Sequence, residues 1–173
     1  MKAVIVYESH WGNTAAVAEA IAAGFGPEAQ ALNTDQATGP AIADADLIVA
    51  GAPLMAFGLP GPRTQAGLEK AASSSPGHAD LSHPSMRTWL ERLPDGHGGA
   101  AAFETKIRWS PGGATDAIEQ RLEKAGYRTV AKAQKFVVTG QSGPLREGEL
   151  EKARQWGTDL AAAIRSSTPL ATT

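Results

Sequence analysis

Six consecutive residues, Ser9-His10-Trp11-Gly12-Asn13-Thr14, bring two hydroxyls, an imidazole, a carboxamide and a glycine into one short stretch. That set suits an anion. Hydroxyl donors and backbone N–H groups at the start of a helix can surround a phosphate, and a glycine lets the chain approach it closely. The same residues would also serve as a plain turn and helix cap, so the surroundings must decide. Competing motifs fail. No G-x-G-x-x-G follows the first apolar run, and no G-x-x-x-x-G-K-[ST] occurs anywhere. The GQSGP stretch at Gly140 lacks the last glycine of a nucleophile elbow, which argues against a serine hydrolase. The apolar run ending at Gly51 supplies no aspartate of the kind a phospho-receiver domain requires. Of the histidines, His78 and His83 fit no common metal spacing and are read as surface residues, whereas His10 either adds a donor to the loop or faces water.

The elements that must position this loop follow from periodicity. Residues 4–7, Val-Ile-Val-Tyr, are continuously apolar and β-branched, as in a strand covered on both faces. Apolar residues then recur at Val17, Ala20, Ile21 and Phe25, which predicts a helix over 14–25 ending at Gly24 or Gly26. Further strands are expected at 29–33, 47–51, 100–103 and 136–138. Helices are expected at 114–125 and 147–164, with a short helical or irregular stretch at 41–45. Between 52 and 99 the chain is rich in Pro, Gly and Ser, and only 86–93 reads as helix. Trp89 and Trp156 fall on apolar helix faces and are assigned to the core. Strands alternating with helices predict an α/β fold with a parallel sheet. In an open sheet of this kind ligands bind at the carboxyl ends of the strands, where the strand order reverses, and residues 9–14 lie at such an end.

Composition bounds the function. A chain of 173 residues with 42% hydrophobic content suffices for one core, so residues 1–166 are expected to form a single domain and 167–173 a disordered tail. The 16 basic and 18 acidic residues give a formal net charge of -2, too weak a field to attract nucleic acid or an anionic membrane. No cysteine is present, which excludes disulfides, thiol nucleophiles and cysteine-ligated clusters; redox chemistry would need a bound cofactor. The first apolar run is interrupted at Glu8, and no run is long enough to span a bilayer, so a cytoplasmic location is expected.

With these elements in place the chain resembles the flavodoxin family, whose phosphate loop runs T/S-x-x-G-N-T after the first strand, here Ser9 to Thr14. GAPLMAFG at 51–58 sits where that family has its first ring-flanking loop, and FETKIRWSPGG at 103–113, followed by the helix DAIEQRLEKAGY, where it has the second. The resemblance implies an open, doubly wound five-stranded parallel sheet in the order 2-1-3-4-5 with helices on both faces. It also implies FMN bound without a covalent link. The cofactor-binding residues it implies are Ser9, His10, Trp11, Gly12, Asn13 and Thr14; Pro53, Leu54, Met55, Ala56, Phe57 and Gly58; and Phe103, Glu104, Thr105, Lys106 and Trp109. No catalytic side chain and no metal are implied.

The residue types agree with that ligand. One phosphate suits a single phosphate loop, and Met55, Phe57 and Trp109 supply apolar and aromatic walls for a planar ring, each contact worth about 0.5–1.5 kcal/mol. Two positions depart from the family pattern. Ala56 stands where many electron carriers have a glycine whose peptide flips on reduction, and its Cβ raises the cost of a positive φ by roughly 1 kcal/mol. Lys106 stands where glycine or an acidic residue is commoner, and a cation there favours the reduced, anionic ring. The implied function is electron transfer between a reductase and an acceptor protein. The alternative is an NAD(P)H-dependent quinone reductase acting on a small quinone, to which Trp11 points, being bulky like the tyrosine such enzymes often carry there.

Overall fold

The structure, a computed structural model, describes residues 1–55, 57–72 and 79–167. The elements in chain order are β1 (Ala3–Tyr7), α1 (Asn13–Phe25), β2 (Ala29–Asn33), α2 (Gly39–Ile42), β3 (Leu47–Pro53), α3 (Pro62–Ala72) and α4 (Met86–Glu91). There follow β4 (Gly99–Ile107), α5 (Thr115–Lys124), β5 (Arg128–Thr129), β6 (Gln134–Val138) and α6 (Glu149–Ser167). The strands form one parallel sheet in the order β2-β1-β3-β4-β5, with β6 also on β4. The expected 2-1-3-4-5 order is therefore present, with its fifth position shared by two segments. β5 pairs with Gly99 and Ala100 at the start of β4, and β6 pairs with Phe103 to Ile107 at its end.

The core lies on both faces of the sheet because side chains alternate along each central strand. On β4, Ala101 and Phe103 join α1 and α6 on one face, and Ala100 and Ala102 join α4 and α5 on the other. Phe103 packs edge-on against Phe136 and Trp156, and Gly51 on β3 leaves room for its ring, which a Cβ there would strike. α1 and α6 cross with their backbones in contact, at Gly24 against Arg154 and Gly157 against Ile21. Trp89 is buried on the opposite face and donates its indole N–H to the Ala37 carbonyl at 2.7 Å.

The segment between β3 and β4 differs from expectation. Besides α4 it contains α3, whose stretch PRTQAGLEKAA carries few apolar residues and a glycine, so no amphipathic stripe marks it in the sequence. Leu68 is the side chain it anchors in the interior. Of the expected tail at 167–173, Ser167 ends α6; residues 168–173, and His78, lie outside the described residues. Among the described residues no helix is long and apolar enough to cross a membrane.

Candidate cofactor-binding site

At the carboxyl end of the sheet, β1 runs into the loop that begins α1. Gly12 adopts φ 87° there, a left-handed conformation that glycine reaches without strain, and caps the helix. Ser9 shapes the turn. Its Oγ accepts the N–H of Gly12 at 3.1 Å and of Ala15 at 3.2 Å. Between them, among the described residues, the N–H groups of Asn13 and Thr14 have no protein acceptor, as is usual in the first turn of a helix. Asn13 donates from Nδ2 to the Ser142 carbonyl at 3.1 Å, which ties this loop to the one after β6. Thr14 is buried, its hydroxyl 2.8 Å from that of Thr105 on β4.

These residues open onto a cleft of about 230 Å³. It is lined by Ser9, His10, Trp11, Asn13, Thr14, Pro53, Leu54, Met55, Thr105 and Lys106, all from the set expected from sequence. Four further lining residues escaped sequence reading: Ile107, Ser110, Val138 and Gln141. Gln141 lies in the GQSGP stretch, and the only signal that would have found it is its place after a sheet strand. Among the described residues no carboxylate lines the cleft, and Lys106 is its one lysine or arginine.

The remaining expected residues sit elsewhere. The Phe103 side chain belongs to the α1–α6 core, because it alternates with Glu104 along β4 and points away from the loops. Glu104 is fully buried, and its Oε2 accepts the N–H groups of Ala114 and Thr115 at the start of α5; Lys135 lies 3.8 Å from Oε1. It anchors the wall made by the β4–α5 loop and does not face the cleft. Gly12 supplies backbone shape, and Ala56 lies outside the described residues. Met55 and Gly58 exchange N–H to carbonyl bonds of 3.0 Å across a tight turn that leaves Phe57 at φ 75° and 71% exposed. Trp109 is 80% exposed on the adjoining loop. The two loops touch through their backbones, Gly112 against the Phe57 carbonyl.

His10 neither faces water nor stands alone. It is 4% exposed, with Nε2 3.0 Å from Glu8 Oε1, and Glu8 in turn accepts the Met86 N–H at the start of α4 at 2.8 Å. The i,i+2 spacing of Glu8 and His10 on extended chain puts both on one side, a signal the sequence did carry. The His10 carbonyl accepts the Asp80 N–H at 2.7 Å, which fastens the segment before α4 to the loop. The two hydrogen bonds from Ser82 hold the Asp80 carboxyl below its usual range.

No family model and no curated protein sequence matches the chain. Solved structures do. A flavodoxin from the domain Archaea superposes with a TM-score of 0.64 at 20% identity, over 95% of this chain and 99% of that one. Oxidised flavodoxin 1 from Bacillus cereus gives 0.62 at 19% identity, over 97% and 99%. The rubredoxin oxygen:oxidoreductase of Desulfovibrio gigas gives 0.60 at 18% identity over 95% of this chain and 36% of that one, so the chain spans about a third of that longer protein. The strand order, the loop that starts α1 and these superpositions agree: the chain has the flavodoxin-like fold.

Proposed function

We propose that the cleft binds FMN and that the protein transfers electrons between redox partners. The observation that carries this reading is the mixed lining of the cleft. Its lining combines donors at a helix start with the apolar side chains of Pro53, Leu54, Met55, Ile107 and Val138. A carboxylate-free donor set of Ser9 Oγ and first-turn N–H groups fits a single phosphate, so the residues present suit the group. When bound, FMN supplies the electron-carrying ring, and the protein supplies binding, orientation and electrostatics. Ser9 and the first turn of α1 hold the anion. Thr14 and Thr105 lock that turn to β4, Glu104 fixes the wall that carries Trp109, and Lys106 places a positive charge at the cleft.

The experiment is an absorption spectrum of the purified protein after incubation with FMN and gel filtration. Retained flavin absorbance that reduces reversibly without oxygen supports the reading; no retained flavin refutes it. The quinone-reductase alternative draws on Trp11, a bulky side chain that lines the cleft. Steady NAD(P)H oxidation with a simple quinone would select it over the electron carrier.

A further inference from the structure

Among the described histidines, His10 is the one whose side chain is buried, and its two ring nitrogens are treated unequally. Nε2 lies 3.0 Å from the buried carboxylate of Glu8, which when ionised can only accept, so Nε2 carries a hydrogen. Nδ1 is buried as well and has no hydrogen-bond partner among the described residues. A buried polar atom without a partner is rare in a folded protein and asks for one. The ring is not free to turn toward another. Glu8 also accepts the Met86 N–H at 2.8 Å, the His10 carbonyl accepts the Asp80 N–H at 2.7 Å, and the Trp11 ring stands edge-on at 5.6 Å between centroids.

The His10 ring lines both the cofactor cleft and an adjoining cleft, whereas Glu8 lines only the second. The imidazole therefore stands between that carboxylate and the donors at the start of α1. With Nε2–H committed to Glu8, Nδ1 has two forms: a bare lone pair in the neutral ring and an N–H donor in the imidazolium. A phosphate dianion repels the first and accepts from the second. Besides Glu8, the titratable groups lining these two clefts are Tyr7 at the end of β1, Asp80 and His83 before α4, and Lys106 on β4. α1, α3 and β2 contribute uncharged residues only, and His83 is engaged by Asp35 at 2.7 Å.

We propose that His10, protonated and held by Glu8, donates Nδ1–H to the phosphate of FMN, so that the cofactor and one proton bind together. The proposal rests on the FMN reading of the cleft. On this account the first turn of α1 supplies neutral donors and His10 supplies the charge. Linkage fixes the sign. Phosphate stabilises the imidazolium, so the proton is held more tightly in the complex than in the free chain. FMN affinity is then greatest on the acid side and falls as pH rises through the titration of His10 in the free chain. A phosphate monoester is already a dianion above about pH 7, so the fall belongs to the protein and not to the ligand. Riboflavin has the same ring and no phosphate, and shares none of it.

Fluorescence titrations of the full chain with FMN and with riboflavin, from about pH 7 to about pH 9.5, test the linkage. The expected result is an FMN affinity that falls at least about tenfold across this range while riboflavin affinity stays level. His10→Gln places a carboxamide where Nε2 stood, which keeps a donor to Glu8 but leaves nothing to protonate at Nδ1. It should weaken FMN at pH 7 and abolish the pH dependence. A second measurement needs neither flavin nor variant: nitrogen-15 NMR of the His10 ring at pH 8, with and without inorganic phosphate, should show Nδ1 gaining a proton as phosphate is added. Tight FMN binding whose affinity is level with pH, or whose fall survives in His10→Gln, overturns the proposal and leaves the cofactor reading standing. A chain that retains no flavin but protonates Nδ1 with inorganic phosphate keeps the proton-linked anion site and refutes the cofactor. No retained flavin and no response of His10 to phosphate refutes both.

Discussion

The hydroxyls of Thr14 and Thr105 meet at 2.8 Å, both buried, and join the first turn of α1 to β4 across 91 positions of sequence. One donates and the other accepts. This bond fixes the donor end of the cleft to the strand whose next residue, Lys106, lines it. Thr14→Val keeps the shape and leaves the Thr105 hydroxyl unpaired in the interior. A loss of about 1–3 kcal/mol in stability is expected, read as a lower urea midpoint with an unchanged slope.

Glu104 makes the strongest demand on the fold at this site. Its buried carboxylate receives two N–H groups at the positive end of α5, an arrangement stabilised by charge-assisted hydrogen bonds and by the helix dipole. Glu104→Ala leaves both donors bare and opens a void, so a loss of about 3–5 kcal/mol is expected in denaturant unfolding. Glu104→Gln, which retains an acceptor, should lose less than the alanine variant. Equal losses for the two would show that the volume of the side chain, not its oxygens, is what matters.

Gly112 sits at φ 86° directly against the Phe57 carbonyl. Any Cβ must push the two loops apart as well as strain the backbone, at a cost of about 1–3 kcal/mol. Gly112→Ala should therefore weaken FMN and riboflavin alike in a fluorescence titration, since it disturbs the walls and not the phosphate loop.

Charge at the cleft acts on potential. Among the described residues Lys106 is its one lysine or arginine, and neutralising it disfavours the more negative, reduced cofactor. Lys106→Gln should lower the midpoint potential of the bound flavin by on the order of 30 mV in a dye-coupled titration. An unchanged potential would place the ammonium group too far from the ring to matter.

Alkaline stability depends on a tyrosine far from the cleft. Burial, helped by Asp95, raises the Tyr127 phenol above its ordinary value, where it packs on Gly96. A raised folded pKa means that its contribution is fully present below about pH 10 and is lost as pH climbs through the folded value. Tyr127→Phe keeps the ring and removes the titration. The melting temperature of the variant should gain on the wild type by about 2–4 °C between pH 9 and pH 11. The Tyr7 phenol, also raised by burial, is common to both proteins and drops out of the difference.

How much of this was legible in sequence depends on where each signal lives. Runs such as Leu47 to Gly51 announce buried strands because β-branched and apolar side chains fill both faces. The cleft-lining residues among 9–14, together with Met55 and Thr105, are ones the flavodoxin resemblance implied. α3 was not legible, since its surface is almost wholly polar. Phe103 was expected to end a strand at 100–103, and the resemblance also placed residues 103–113 in a ring-flanking loop. The strand runs on to Ile107, and its alternation sends Phe103 to the α1–α6 core and Glu104 to the opposite face. Gln141 and Val138 enter through a third loop that only the three-dimensional closeness of β6 to β4 reveals.

The most direct test of the central claim is calorimetric titration of the wild type and Ser9→Ala with FMN and with riboflavin. Ser9 Oγ accepts the Gly12 and Ala15 N–H groups, and in the proposed site its hydroxyl is a donor to the phosphate, so its replacement should act on FMN and not on riboflavin. The account predicts that the wild type binds FMN at least about a hundredfold more tightly than riboflavin, and that Ser9→Ala costs FMN roughly tenfold, about 1.4 kcal/mol, while riboflavin is unaffected. Equal affinity of the wild type for the two ligands, or equal losses for both in the variant, would contradict it.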